Sequence, residues 1–271
     1  MKDNNTWLPL SGMYSEPVHL NGNSVIHFAA DAAQVVLENG GETYRAQETF
    51  ERIAKACGMV EADAFIVATG IIANITDKGD KSYSISKKVM RRTIHLEKVS
   101  LVNSITRDLE NGSITPVEAR TKIRSLSTLK NYPLWIQVIA AAVSASLFSR
   151  LFGGSFTDLP AAFIIGALLR LFIVRMDERG YAQFFYNAAG GFIASFLALC
   201  AAGSGFANNA DYVITGVIML LVPGVSIVNA IRDTIASDII AGTARAVEAF
   251  VLAVAIALGT GIALQLWSVI S

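Results

Sequence analysis

The chain changes character near its middle, and that change limits what it can fold into more than any motif does. Residues 1–130 carry 16 of the 22 Lys and Arg and 15 of the 22 Asp and Glu. Residues 134–270 are instead dominated by apolar stretches of about 20 residues, long enough as helices to cross about 30 Å of hydrocarbon. The pattern implies a membrane protein: an N-terminal soluble α+β domain over 1–130, then an α-helical bundle of five transmembrane helices within 131–271. Such a fusion points to transport, signalling or membrane-embedded chemistry. Net charge is zero, so no global field argues for nucleic acid.

The composition shift falls at Lys130-Asn131-Tyr132-Pro133, and 130 residues are enough for one modest core. Cys57 and Cys200 fall in different halves without metal-like spacing, and His19, His27 and His95 form no short ligand motif. No metal or cofactor is therefore expected. The start, Met1-Lys2-Asp3-Asn4-Asn5-Thr6, lacks a basic segment followed by an apolar run. That leaves the soluble domain expected in the cytoplasm.

Five spans are expected, at about 134–152, 156–176, 181–202, 212–231 and 246–269. With the N-terminus inside, Lys130, Arg175, Arg179, Arg232 and Arg245 fall on inner flanks, against Arg150 outside. This asymmetry fits the excess of Lys and Arg on cytoplasmic loops, and an odd span count puts the C-terminus outside. Small residues such as Gly190-Gly191 and Gly259-Thr260-Gly261 suit close helix packing in lipid.

Polar groups at membrane depth are costly and thus informative. Asp158, Arg170 and Asn187 lie within spans two and three, each open to a structural or a substrate-contacting reading. Span four carries the sharpest signal. Pro223-Gly224 should break its helix by removing a donor and adding backbone freedom. A break at this depth must face protein or a wet cavity, and many transporters build a midplane site that way. After it, Ser226, Asn229, Asp233 and Ser237 recur on one helical face, a candidate wall of a permeation path with Arg232 beside it. The plainer reading is a proline kink followed by an amphipathic linker.

The soluble half reads as helices over 25–39 and 44–57, short strands at 64–68, 71–75 and 83–85, and helices near 93–111 and 115–130. Thr115, Pro116 and Glu118 form a helix start. The stretch Glu38-Asn39-Gly40-Gly41-Glu42-Thr43-Tyr44-Arg45 gathers carboxylates, an amide, a hydroxyl, a phenol and a guanidinium around a glycine hinge. No nucleophile signature accompanies them, so acid–base chemistry and simple helix-corner capping both remain open.

The Leu37–Arg45 stretch resembles the N-terminal signature of the threonine/serine exporter family. So do Thr69-Gly70-Ile71, Arg91-Arg92, Leu96-Glu97-Lys98-Val99 with Asn103, and the series Pro223-Gly224, Asn229, Arg232-Asp233, Asp238, Gly242 and Arg245. The resemblance covers roughly 25–250, and Gln47 departs from it where the family commonly has Glu. It implies an exporter of small carboxylate metabolites, threonine/serine-type amino acids or succinate-type dicarboxylates, in the bacterial inner (plasma) membrane. Single-chain members join two membrane parts, whereas split systems place the second on a small multi-span protein. A chain of this length resembles the large subunit of a split system, so a small membrane partner and oligomerisation are implied. No phosphate-cradling Gly-x4-Gly-Lys-Ser/Thr loop is present, which points to secondary transport. The competing reading is a membrane-anchored enzyme or regulator acting through residues 1–130.

Overall fold

A computed structural model describes residues 20–89, 93–129 and 132–270, which cluster into two compact units meeting at 129/130. The start Met1–Thr6, His19, the pair Arg91-Arg92 and the expected boundary at Lys130-Asn131 lie outside the described residues.

The first unit runs α1 (Gly22–Glu38), α2 (Thr43–Ala56), β1 (Glu61–Val67), β2 (Gly70–Thr76), β3 (Ser82–Lys88), α3 (Leu96–Glu110) and α4 (Pro116–Leu126). The helix α1 starts earlier than its apolar periodicity suggests because Asn21 caps it, accepting from the Ser24 amide at 2.8 Å. Three antiparallel strands pair in the order β1-β2-β3, with Ile66 opposite Ile71 and Ile75 opposite Tyr83. The β2–β3 turn is built by Asp77, whose Oδ1 accepts from the amides of Gly79 at 2.8 Å and Lys81 at 3.0 Å. Val25, Phe28, Phe50, Ile53, Ile71, Ile75, Val102 and Ile123 bury their side chains in one core.

The strands run longer than expected, β3 most of all, and two further helix boundaries differ from the sequence expectation. The helix α3 begins at Leu96 rather than near 93 because Thr93 and His95 donate their amides to Glu38 and Asn39 carbonyls, at 2.7 and 3.1 Å. That extended pairing excludes helix. The helix α4 stops at Leu126, short of 130, although its start carries the full reciprocal cap between Thr115 and Glu118.

The second unit comprises α5 (Leu134–Leu151), α6 (Leu159–Glu178), α7 (Gln183–Gly203), α8 (Ala210–Ile218), α9 (Gly224–Ile235) and α10 (Ile239–Ile270). Among the described residues four helices, α5, α6, α7 and α10, are long and apolar enough to cross a membrane. The expected fourth span is divided into α8 and α9, neither long enough alone. The expected fifth is longer than read, since α10 begins at Ile239 and extends for 32 residues, about 48 Å at 1.5 Å per residue. The helices α7 and α10 pack with almost no intervening side chain: a Cβ on Gly259 would stand 1.8 Å from the Ala188 carbonyl oxygen.

Candidate functional site

The break in the fourth apolar segment follows from one missing donor. In a continuous helix the residue at 223 would donate to the Met219 carbonyl, and proline has no N–H to give. The helix α8 accordingly ends at Ile218, and α9 restarts at Gly224 with no side chain capping it. Gly224 donates back to the Val222 carbonyl at 2.8 Å, and Ile227 to Pro223 at 3.0 Å. Leu221 sits inside the bundle, its side chain 3.2 Å from where a Gly190 Cβ would stand, a position that also meets Leu169. Both neighbours lie well within candidate spans, so the break is deep rather than terminal.

Below it, α9 and α10 form a hairpin closed by Ala236–Asp238, with Ser237 at φ 69°. Asp238 accepts from the Ala241 amide at 3.1 Å and caps α10. Gly242 allows the two helices to touch, because a Cβ there would stand 2.2 Å from Thr234 Oγ1 and 2.9 Å from the Ala230 carbonyl. This approach brings Asp233 Oδ2 within 3.1 Å of Arg245 Nε, both side chains buried. Asn229, one turn before Asp233, is buried on the same face.

Of the residues singled out from sequence, Asn229 and Asp233 are therefore brought together and Ser226 is half-buried above them. Ser237 leaves the stripe, since it lies in the turn. Arg232 points from an exposed neighbouring face of α9, away from the side that Asp233 buries. The cation gathered with Asp233 is Arg245, twelve residues on, which had been placed on an inner flank. Its burial depends on the hairpin turn, and only the joint presence of Asp238 and Gly242 before it hinted at such a turn.

The other intramembrane candidates part company. Asp158 is fully buried, accepting from Ser155 N and Oγ at 2.7 and 2.6 Å and from the Asn208 and Asn209 amides at 2.7 and 3.0 Å. It ties the α5–α6 loop to the α7–α8 loop. Arg170 donates to Gln137 Oε1 of α5 at 2.6 Å. Asn187 is buried on α7 one turn before Gly190, and its Nδ2 has no partner among the described residues.

In the first unit the Glu38–Arg45 stretch forms the α1–α2 corner. Gly40 takes φ 92°, a conformation open to glycine, and Gly41 donates to the Val36 carbonyl at 2.9 Å. Asn39 Nδ2 donates to Val35 at 2.7 Å, Glu38 accepts from Gln34 at 2.7 Å, and Glu42 lies 3.5 Å from Arg45. Glu42, Thr43 and Asn39 are buried while Tyr44 is exposed. Gln47 donates to Glu51 at 3.0 Å. His95, unassigned from sequence, is buried with its amide on this corner. The corner is closed by the backbone bond from Gly41 to Val36, and among the described residues no side chain caps the start of α2. Elsewhere in the unit, burial pushes the Cys57 thiol up to about 11.

A family model described as "Putative threonine/serine exporter" matches residues 27–267. A "Probable succinate transporter subunit" of Klebsiella aerogenes is 23% identical over 248 residues, covering 90% of this chain and 94% of its own. A "Probable threonine/serine exporter" of Mycobacterium tuberculosis is 24% identical, covering 95% of this chain but 50% of its own length. A "Threonine/serine exporter" of Corynebacterium glutamicum is 24% identical, with coverage of 92% and 53%. The chain thus spans about half of each exporter and nearly all of the subunit. No solved structure matches it.

Proposed function

The chain belongs to the threonine/serine exporter family and is a transporter rather than an enzyme; from that premise we propose that it is one part of a two-part secondary exporter. It moves small carboxylate metabolites, amino acids of the threonine/serine type or dicarboxylates of the succinate type, out across the bacterial plasma membrane. The second part is a small multi-span membrane protein. In this reading α5, α6, α7 and α10 span the membrane and the broken α8–α9 pair makes a fifth crossing. The first unit is cytoplasmic and the C-terminus external, as the bias of basic residues favours.

The observation that carries the reading is the buried Asp233–Arg245 pair beneath an uncapped helix break. Buried ionisable pairs in a membrane protein's bundle are candidates for a substrate or ion pathway. The path runs past Pro223, Gly224, Ser226, Asn229 and Asp233. Arg232 receives the substrate carboxylate at the inner mouth, where a guanidinium can hold it in bidentate fashion. Asp233 then serves as the coupling acid: while ionised it is held by Arg245, and on protonation or contact with a substrate amino group it releases that cation. Efflux measured in cells lacking the gene, complemented with this chain alone or with its partner, tests the reading. Export only with both supports it. Full export from this chain reconstituted as a monomer defeats it.

A further inference from the structure

The helix break raises a requirement that this chain does not meet by itself. Among the described residues no hydrogen bond satisfies the carbonyls of Met219, Leu220 and Leu221 or the amides of Val225 and Ser226. Gly224 is exposed, and a Cβ built on it would meet nothing within 4 Å. Bare peptide groups cannot face hydrocarbon, since each unsatisfied one costs several kcal/mol there. The break lies at the depth of Gly190 and Leu169 in two neighbouring spans, so the headgroup region does not reach it. Protein, with or without trapped water, must cover it.

The uncovered side extends down α9. That helix packs chiefly on α10, and Ile227, Val228, Ile231 and Ile235 project away with Arg232 among them. Within the second unit, a wall formed by α9 therefore has α10 behind it, and among that unit's described residues no other element packs closely on its front. The relatives twice as long match this chain over only half their length, so they carry a further stretch comparable in size to this whole chain. The relative of nearly equal length is described as a subunit.

We propose that the exposed face of the α8–α9 break and of α9 is the docking surface for the second membrane part, a separate polypeptide corresponding to the other half of the longer relatives. This rests on the two-part reading above and adds where the parts meet. The surface asks for a particular chemistry in its partner. Hydroxyl or amide side chains, or a pocket of water, stand opposite 219–226, and an apolar helix face stands against Ile227, Ile231 and Ile235. The permeation path then lies at the interface rather than inside either chain, with Arg232 on the exposed face of α9 and Asn229 and Asp233 buried behind it towards α10.

The test places a photoreactive benzoylphenylalanine at Ile227, Ile231 or Ile235 of the full chain in native membranes, with Leu147 and Phe163 on α5 and α6 as controls. All five side chains are exposed in this chain, so each probe is expected to leave accumulation unchanged. The expected result is an adduct from the α9 positions with one multi-span polypeptide whose deletion abolishes efflux, and none from the controls. If that polypeptide is captured at Leu147 or Phe163 instead, the docking surface is wrong while the two-part exporter stands. Self-adducts or lipid adducts alone at α9 also overturn the surface. No polypeptide at any probe, with normal efflux from this chain alone, overturns both.

Discussion

Asp233 on α9 and Arg245 on α10 meet at 3.1 Å with side chains 0% and 5% exposed, across a hairpin that Gly242 keeps tight. Losing one partner would break a buried charge pair, a change that costs up to about 3–5 kcal/mol. Asp233→Asn and Arg245→Gln are each expected to lower the melting temperature of the purified protein sharply. The double variant, which buries two neutral amides, should recover most of it. Efflux should stay lost in all three. Single variants that melt like the parent would mean that water or a partner already solvates the pair.

Arg232 gives the cleaner functional substitution, because it is exposed on α9 rather than buried in the Asp233–Arg245 pair. Arg232→Gln is expected to fold and assemble normally and to raise the substrate concentration needed for half-maximal efflux. Unchanged transport kinetics would remove Arg232 from the path and leave Arg245 as the guanidinium for the substrate.

What the sequence showed clearly was local. Pro223 names its own missing donor, and Thr115-Pro116 with Glu118 names a helix start, because each effect acts within one turn of chain. What it hid was long-range. Thr93 and His95 leave the helix only because Glu38 and Asn39 offer carbonyls more than fifty residues away. The burial of Arg245 requires Ser237 to turn the chain and Gly242 to admit α9, so composition alone placed it on a flank. Asp158 falls near the outer end of the second span in the sequence, and only the fold shows the four donors converging on it.

In the first unit, the Arg52 side chain holds Glu110 below its ordinary range through its hydrogen bonds, the Nε contact being 2.7 Å. A depressed folded pKa contributes stability that is complete above the unfolded value, about 4.3, and lost as pH falls through the folded one. Both groups are about a third exposed, so screening limits the pair to at most about 1 kcal/mol. Melting of the full chain from pH 6 down to 3 should show a falling acid limb, with Asp77, lowered by the backbone amides of its turn, adding to it. Arg52→Gln should lower the neutral plateau by at most about 1 kcal/mol and converge with the parent at low pH, which makes that limb shallower. An unchanged limb would assign acid sensitivity to other carboxylates.

The last prediction concerns the break itself. Pro223→Ala returns the donor that the Met219 carbonyl lacks and removes the ring that clashes with the preceding turn, a preference of about 3 kcal/mol in a helix interior. The variant should therefore join α8 to α9 more continuously and melt higher than the parent. If the open backbone is the substrate path, that gain in stability comes with a loss of efflux. Gly224→Ala separates geometry from occupancy, because a Cβ at this position meets nothing among the described residues within 4 Å. It should leave folding intact and still impair efflux if substrate or the second membrane part fills that space. Raised melting with normal efflux in Pro223→Ala, together with a silent Gly224→Ala, would show that the break only bends the helix and that the path lies elsewhere in the bundle.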